Sequence, residues 1–248
     1  MSSALLKAGA TALLLSLAAC TAPAASSRAA TTARLTSLLS VGRGASFGAV
    51  TFEVRFSDPD TAIPAPVRVA TLSLPTGLTL QVPRLSACEP RRLAAHGPGR
   101  CPDASLLGRG RALVEGRAGS QVISEQISLW AFLGPLHDLQ PTVEILARGY
   151  TPFDRRIVLG GLVQAPEGSR GEQLVLRIPP VRTLPLEPDA SVSTMTLTIG
   201  AVPGRPRRNG NAVKVPRSCP RGGFPVAGEF VYADGSTSSA QTTIPCPR

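Results

Sequence analysis

The sequence predicts an all-β chain, an antiparallel β-sandwich with one short helix, preceded by an export segment and a tether. Three observations predict it. Short runs alternate apolar and polar residues with period two, the signature of half-buried strands. The joins between them are short and rich in Gly, Pro and Asp, too short for crossover helices, so neighbours should pair antiparallel. Beyond the leader, the segment Glu89–Ala95 alone reads as helix.

The first element is the leader. Lys7 precedes an apolar run from Ala8 to Ala19 that is interrupted only by Gly9, Thr11 and Ser16. A charged start, a short apolar stretch and a small-residue end make an export signal. The run is shorter than the ~20 apolar residues that a membrane span needs. Leu17-Ala18-Ala19-Cys20 closes it and resembles the lipobox of bacterial lipoproteins. The resemblance implies a diacylglyceryl group on the Cys20 sulfur and cleavage that leaves Cys20 first. An ordinary secretory signal, cut after Ala19 or near Ala25, is the alternative. Two acyl chains suffice for stable anchoring, so the membrane would be the first partner. Residues 1–19 are thus expected to be the signal peptide, 20–45 a lipidated N-terminus and disordered tether rich in Ala, Ser and Thr, and 46–248 the folded domain.

Val50, Phe52, Val54 and Phe56 alternate with Thr51, Glu53 and Arg55 as a first strand, ended by Ser57-Asp58-Pro59-Asp60. Val67–Leu74 and Leu78–Val82 follow around Pro75-Thr76-Gly77. Glu89-Pro90-Arg91-Arg92-Leu93-Ala94-Ala95 is a helix with proline in its first turn, stopped by Gly97-Pro98-Gly99. Strands resume at 106–115, 122–133, 142–147, 156–164 and 172–178. The prolines between Pro179 and Pro188 mark either a crossover or a boundary between subdomains, the crossover being preferred. Ser191–Ile199 alternates again, 204–211 is a basic loop, and Val226–Tyr232 with Thr237–Ile244 forms a hairpin around Asp234-Gly235. About ten short strands suggest an immunoglobulin-like sandwich. No cysteine pair brackets a central tryptophan, so Trp130 has no such role.

The mature chain is similar to uncharacterised exported β-domains of GC-rich Gram-positive bacteria. The similarity lies in Leu74-Pro75-Thr76-Gly77-Leu78, in Cys101-Pro102 after the helix, and in Tyr232-Ala233-Asp234-Gly235 before a final cysteine. These motifs are structural and imply no chemistry.

Of five cysteines, Cys20 goes to the anchor, leaving Cys88, Cys101, Cys219 and Cys246 as an even set. In an oxidising compartment that means two disulfides, with three connectivities open. The local pairs Cys88–Cys101 and Cys219–Cys246 are favoured. A zinc site would want C-x2-C spacing, which the chain lacks. The net charge of +10 is nearly all arginine, scattered, and accompanied by one Trp and two Tyr. Nucleic-acid binding needs stacking platforms, so the charge suits an anionic polymer or surface of the envelope instead.

The chain has no G-x-S-x-G elbow, H-E-x-x-H helix or phosphate-cradling loop. Gly160-Gly161 and Gly222-Gly223 read as turn or bulge glycines, and His137-Asp138 as a polar loop whose two side chains point apart. Asp58 and Asp60 cap a turn, while Glu115, Glu125 and Glu144 face solvent on their strands. No cofactor and no metal site are expected. The expected function is non-enzymatic: an envelope lipoprotein displaying a binding or structural module to an envelope protein or anionic polymer. The alternatives are a secreted hydrolase with scattered residues and a carrier of a small ligand.

Overall fold

Val50, Phe52, Val54 and Phe56 all bury their side chains in one core, as their alternation requires. The computed structural model describes residues 30–41, 47–80, 86–151, 154–164, 171–182, 188–200, 213–216 and 218–246. Its strands are β1 (Thr32–Val41), β2 (Phe47–Ser57), β3 (Val67–Ser73), β4 (Thr79–Leu80), β5 (Leu106–Ala118), β6 (Gln121–Leu133) and β7 (Thr142–Arg148). They continue as β8 (Arg156–Gln164), β9 (Gln173–Arg177), β10 (Ser191–Ile199), β11 (Val213–Lys214), β12 (Phe224–Tyr232) and β13 (Thr237–Ile244). The helix α1 spans Pro90–His96.

Every pairing between these strands is antiparallel. They form one continuous ladder, ordered β13-β12-β3-β9-β8-β7-β6-β5-β10-β2, with β11 and β4 continuing from the start of β2. β1 pairs with the free edge of β2. The ladder curls, so that Phe56 of β2 meets Phe230 of β12 edge-on at 5.0 Å between ring centroids. Such a contact adds about 1 kcal/mol beyond the area it buries. β1 runs beside β13, yet among the described residues no backbone hydrogen bond joins them. The fold is therefore all-β with one short helix, built as a single curled sheet. Residues from both sides of the proline-rich 179–188 stretch share the one core.

Three expectations are corrected. The stretch 32–41, taken as disordered tether, is strand β1, ten residues long with Leu35 buried at its centre. It is rich in Ser and Thr, but it pairs along its whole length with Gly48–Ser57 of β2, which bonds one edge of its backbone, and the Thr31 hydroxyl donates to Asp58 at 3.2 Å. The folded unit thus includes residues 32–41, which precede the expected start at 46. Gly160-Gly161 is neither turn nor bulge: it lies inside β8, whose register with β7 is unbroken, and Leu174 and Leu176 of the neighbouring β9 fill the space where a Gly161 side chain would go. Gly222-Gly223 is a turn, with both residues at positive φ. The helix begins at Pro90 with Glu89 as its extended N-cap, and Gly97, at φ 75°, donates its N–H back to Leu93 at 2.9 Å. The basic loop 204–211 lies outside the described residues.

Candidate functional site

The structure brings Cys88 to Cys101, with Cα atoms 5.2 Å apart, and Cys219 to Cys246, at 5.8 Å. The first pair closes the loop that carries α1, which packs on the outer face of the sheet. There Leu93, Phe132 and Leu146 form a second, smaller core with Trp130 and Val158 packed on it. The second lies just beyond the two arms of the β12–β13 hairpin. Two such pairs point to an extracytoplasmic protein. Cys20 lies outside the described residues. Among those described, no helix is long and apolar enough to cross a membrane.

His96 ends α1, exposed. His137 and Asp138 occupy the β6–β7 turn, where the imidazole Nε2 lies 3.5 Å from the Asp138 carboxylate. The two side chains do not point apart as in a strand, because Asp138 and Leu139 take the left-handed conformation of a tight turn. Both are open to water, beside exposed Leu136 and Leu139. Asp58 caps its turn: its carboxylate accepts the N–H of Asp60 at 2.9 Å and of Thr61 at 3.1 Å. Burial pulls its pKa upward, but hydrogen bonds from Asp60, Thr31 and Thr61 outweigh it and hold the carboxyl below its ordinary value. Among the described residues, no group of three or more His, Cys, Asp or Glu is placed to hold a metal ion.

The acidic residues on the strands are where the sequence reading fails. Glu125 is 4% exposed and Glu144 6%, and neither faces solvent. β7 is covered on both faces: Val143, Ile145 and Ala147 enter the main core, while Leu146 packs beneath α1. Glu144 shares that outer face with Leu146, opposite Phe132 of β6 and Gly160 of β8. Burial pushes its pKa up, opposed by a hydrogen bond from Thr142 and reinforced by the Glu89 carboxylate. The Pro135 carbonyl, 2.7 Å from the Thr142 hydroxyl, competes for that single proton. The sequence carries one faint signal for this burial: Leu146 stands in the phase otherwise held by Thr142, Glu144 and Arg148.

Glu125 opens the more informative region. The ladder registers set Thr32, Ser57, Ser191, Arg148, Arg156, Arg177 and Val67 at one end of the curled sheet. At that end the interior is not filled. A cavity of about 90 Å³ opens among Val67, Val114, Ile127, Ile157, Leu159 and Val192, most of them only half-buried. The Glu125 carboxylate forms part of the wall and accepts the N–H of Tyr150. Gly149 lets the carboxylate sit close: a Cβ there would lie 2.5 Å from Glu125 Oε1 and would push that side chain aside. At the rim, Arg68 is paired with Asp189, and Arg148 stacks over the Tyr150 ring at 4.8 Å. Arg155 is exposed there and makes no ion pair among the described residues.

The opposite end of the interior is packed more tightly. Phe52, Leu72, Leu107, Val143 and Val213 leave a void of about 30 Å³. Glu172 borders it and accepts the Leu80 N–H at 2.9 Å, its pKa raised by burial despite that bond. No protein-family model, curated protein or solved structure matches this chain.

Proposed function

We propose that the chain is a non-enzymatic lipoprotein of the cell envelope, anchored through Cys20, whose β-module binds a ligand or partner outside the membrane. The observation that carries the binding role is the interior itself, which keeps an apolar cavity of about 90 Å³ at one end against about 30 Å³ at the other. A pure spacer has no use for half-buried apolar side chains around a mouth, since each leaves stabilising burial unrealised. The anchor rests on Leu17-Ala18-Ala19-Cys20. It is also supported by the pairing of the other four cysteines with one another, which leaves Cys20 as the odd thiol. The partner is an envelope protein, an anionic polymer or a small apolar molecule, and nucleic acid is not among the candidates.

Two measurements test this. Mass spectrometry of the membrane-extracted chain should find acyl groups on Cys20, and Cys20→Ser should send the protein into the medium. An unmodified Cys20 with unchanged retention of the variant would remove the anchor. Crosslinking in intact cells should capture contacts around the open end of the sheet, and contacts confined to the opposite end would count against a binding mouth.

A further inference from the structure

We infer that the open end binds an anionic amphiphile with a single hydrocarbon chain, the chain end seated between Val114, Ile127, Ile157 and Val192 and the head group held by Arg155. The inference rests on the binding reading above, but not on the Cys20 anchor.

The lining decides the body of the ligand. Apart from the Glu125 carboxylate and the rim arginines, it offers almost nothing that hydrogen-bonds, so a polar group pushed inside would lose its hydration without replacement. The size decides its girth. About 90 Å³ exceeds what an ordered water needs. It is nevertheless far below the roughly 300–1,000 Å³ of sites for drug-sized molecules. The end of one chain fits; a ring system or paired chains do not.

Charge decides the orientation. Glu125 places a carboxylate in the wall, which repels a second anion carried inside and keeps an acidic head at the rim. Of the two lining arginines, Arg68 is matched by Asp189, whereas Arg155 is exposed and makes no ion pair among the described residues. A guanidinium presents paired donors that suit a carboxylate or a phosphate equally. The shared chemistry is therefore an anionic head on one alkyl chain, supplied either as a free acid or from a membrane lipid. The mouth lies at the end of the sheet where β1 starts at Thr32, the end that the N-terminal segment joins.

The test uses the full chain carrying Cys20→Ser, so that no covalent acyl group competes. Calorimetric titration with decanoate should show one saturable site, with decanol binding more weakly. Arg155→Gln should weaken decanoate about tenfold and leave decanol unchanged, which separates charge recognition from a packing effect. Ala147→Phe, or Ala190→Phe from the other wall, should abolish binding of both probes, with near-ultraviolet circular dichroism confirming the fold. Sedimentation with phosphatidylglycerol vesicles distinguishes the sources: Arg155-dependent pelleting, competed by decanoate, assigns the ligand to the membrane, and decanoate binding without pelleting assigns it to a free acid. Absence of both, or decanoate binding that survives the phenylalanine variants, overturns the inference. An unacylated Cys20 would remove the anchor and leave these outcomes unaltered.

Discussion

The two ends of the interior are built from the same kinds of residue and yet finish differently. At the tighter end Leu78, Phe224 and Ile244 are fully buried, and the Cys219–Cys246 pair lies beside them at the base of the hairpin. At the open end Val114, Ile127, Ile157 and Val192 stay half-buried around a cavity three times larger, and no disulfide crosses the strands there. Aliphatic composition does not separate the two ends. Nor do buried aromatics, Phe224 lying at one end and Phe56 and Tyr232 at the other; what differs is the link, covalent at one end and the Arg68–Asp189 ion pair at the other. The lesson is that similar residues pack to different tightness at the two ends, leaving the larger interior cavity at one of them.

The largest way to break this contrast is Phe224→Ala. Removing a fully buried phenylalanine costs about 3–5 kcal/mol, and a urea titration should show that loss. Ile157→Val at the open end should cost less than about 1 kcal/mol, because the site already borders empty space. Equal losses would erase the distinction between the ends. Next in size, replacing Cys219 and Cys246 together by alanine releases a link across 27 residues of sequence. Chain entropy puts the loss at about 3.5 kcal/mol. Under native conditions the variant should still bind decanoate, since the mouth lies at the far end.

The smallest effect is a pH dependence on the outer face. Glu144 has a raised folded pKa, so the folded chain keeps a proton that the unfolded chain gives up. Stability should fall as pH rises through the window from the ordinary glutamate value, about 4.3, up to the raised one. Glu144→Gln does not titrate and keeps a group that can bond Thr142. It should therefore be more stable than the parent near neutral pH by about 1 kcal/mol, the scale of one buried polar group. The gain should vanish below the window, and thermal melts across pH would show it. A gain independent of pH would mean that the carboxyl is not the cause.

How much of this was readable beforehand depends on whether a residue's surroundings are local. Val50 through Phe56 and Ser191 through Ile199 declared themselves strands because each carries its own period, and Asp234-Gly235 declared its turn because the pair suits the required backbone. The local cysteine pairs were favoured for the same reason, each lying within one unit. β1 was missed because exposed Leu38 falls out of phase and Ser37 interrupts the inward row of Ala33, Leu35, Leu39 and Val41. Its order comes from β2 rather than from itself. Glu144 was misread because its cover arrives from α1, a separate element of the chain. The mouth was invisible for a stronger reason. It depends on β3 lying between β9 and β12 and on β10 lying between β2 and β5, pairings that no local pattern encodes.

One consequence follows from the manner in which β1 is held. It bonds to β2 alone, from Thr32 opposite Ser57 to Val41 opposite Gly48, and its flank against β13 carries no backbone bonds. A pull arriving through the preceding residues reaches the sheet at Thr32 and loads the first rung before the others. The rungs then part in succession, as in peeling rather than shearing, and Leu35 is the only deeply seated side chain to resist. Tension on the amino end would strip this strand while the remaining ladder, gripped by its own neighbours, stayed whole.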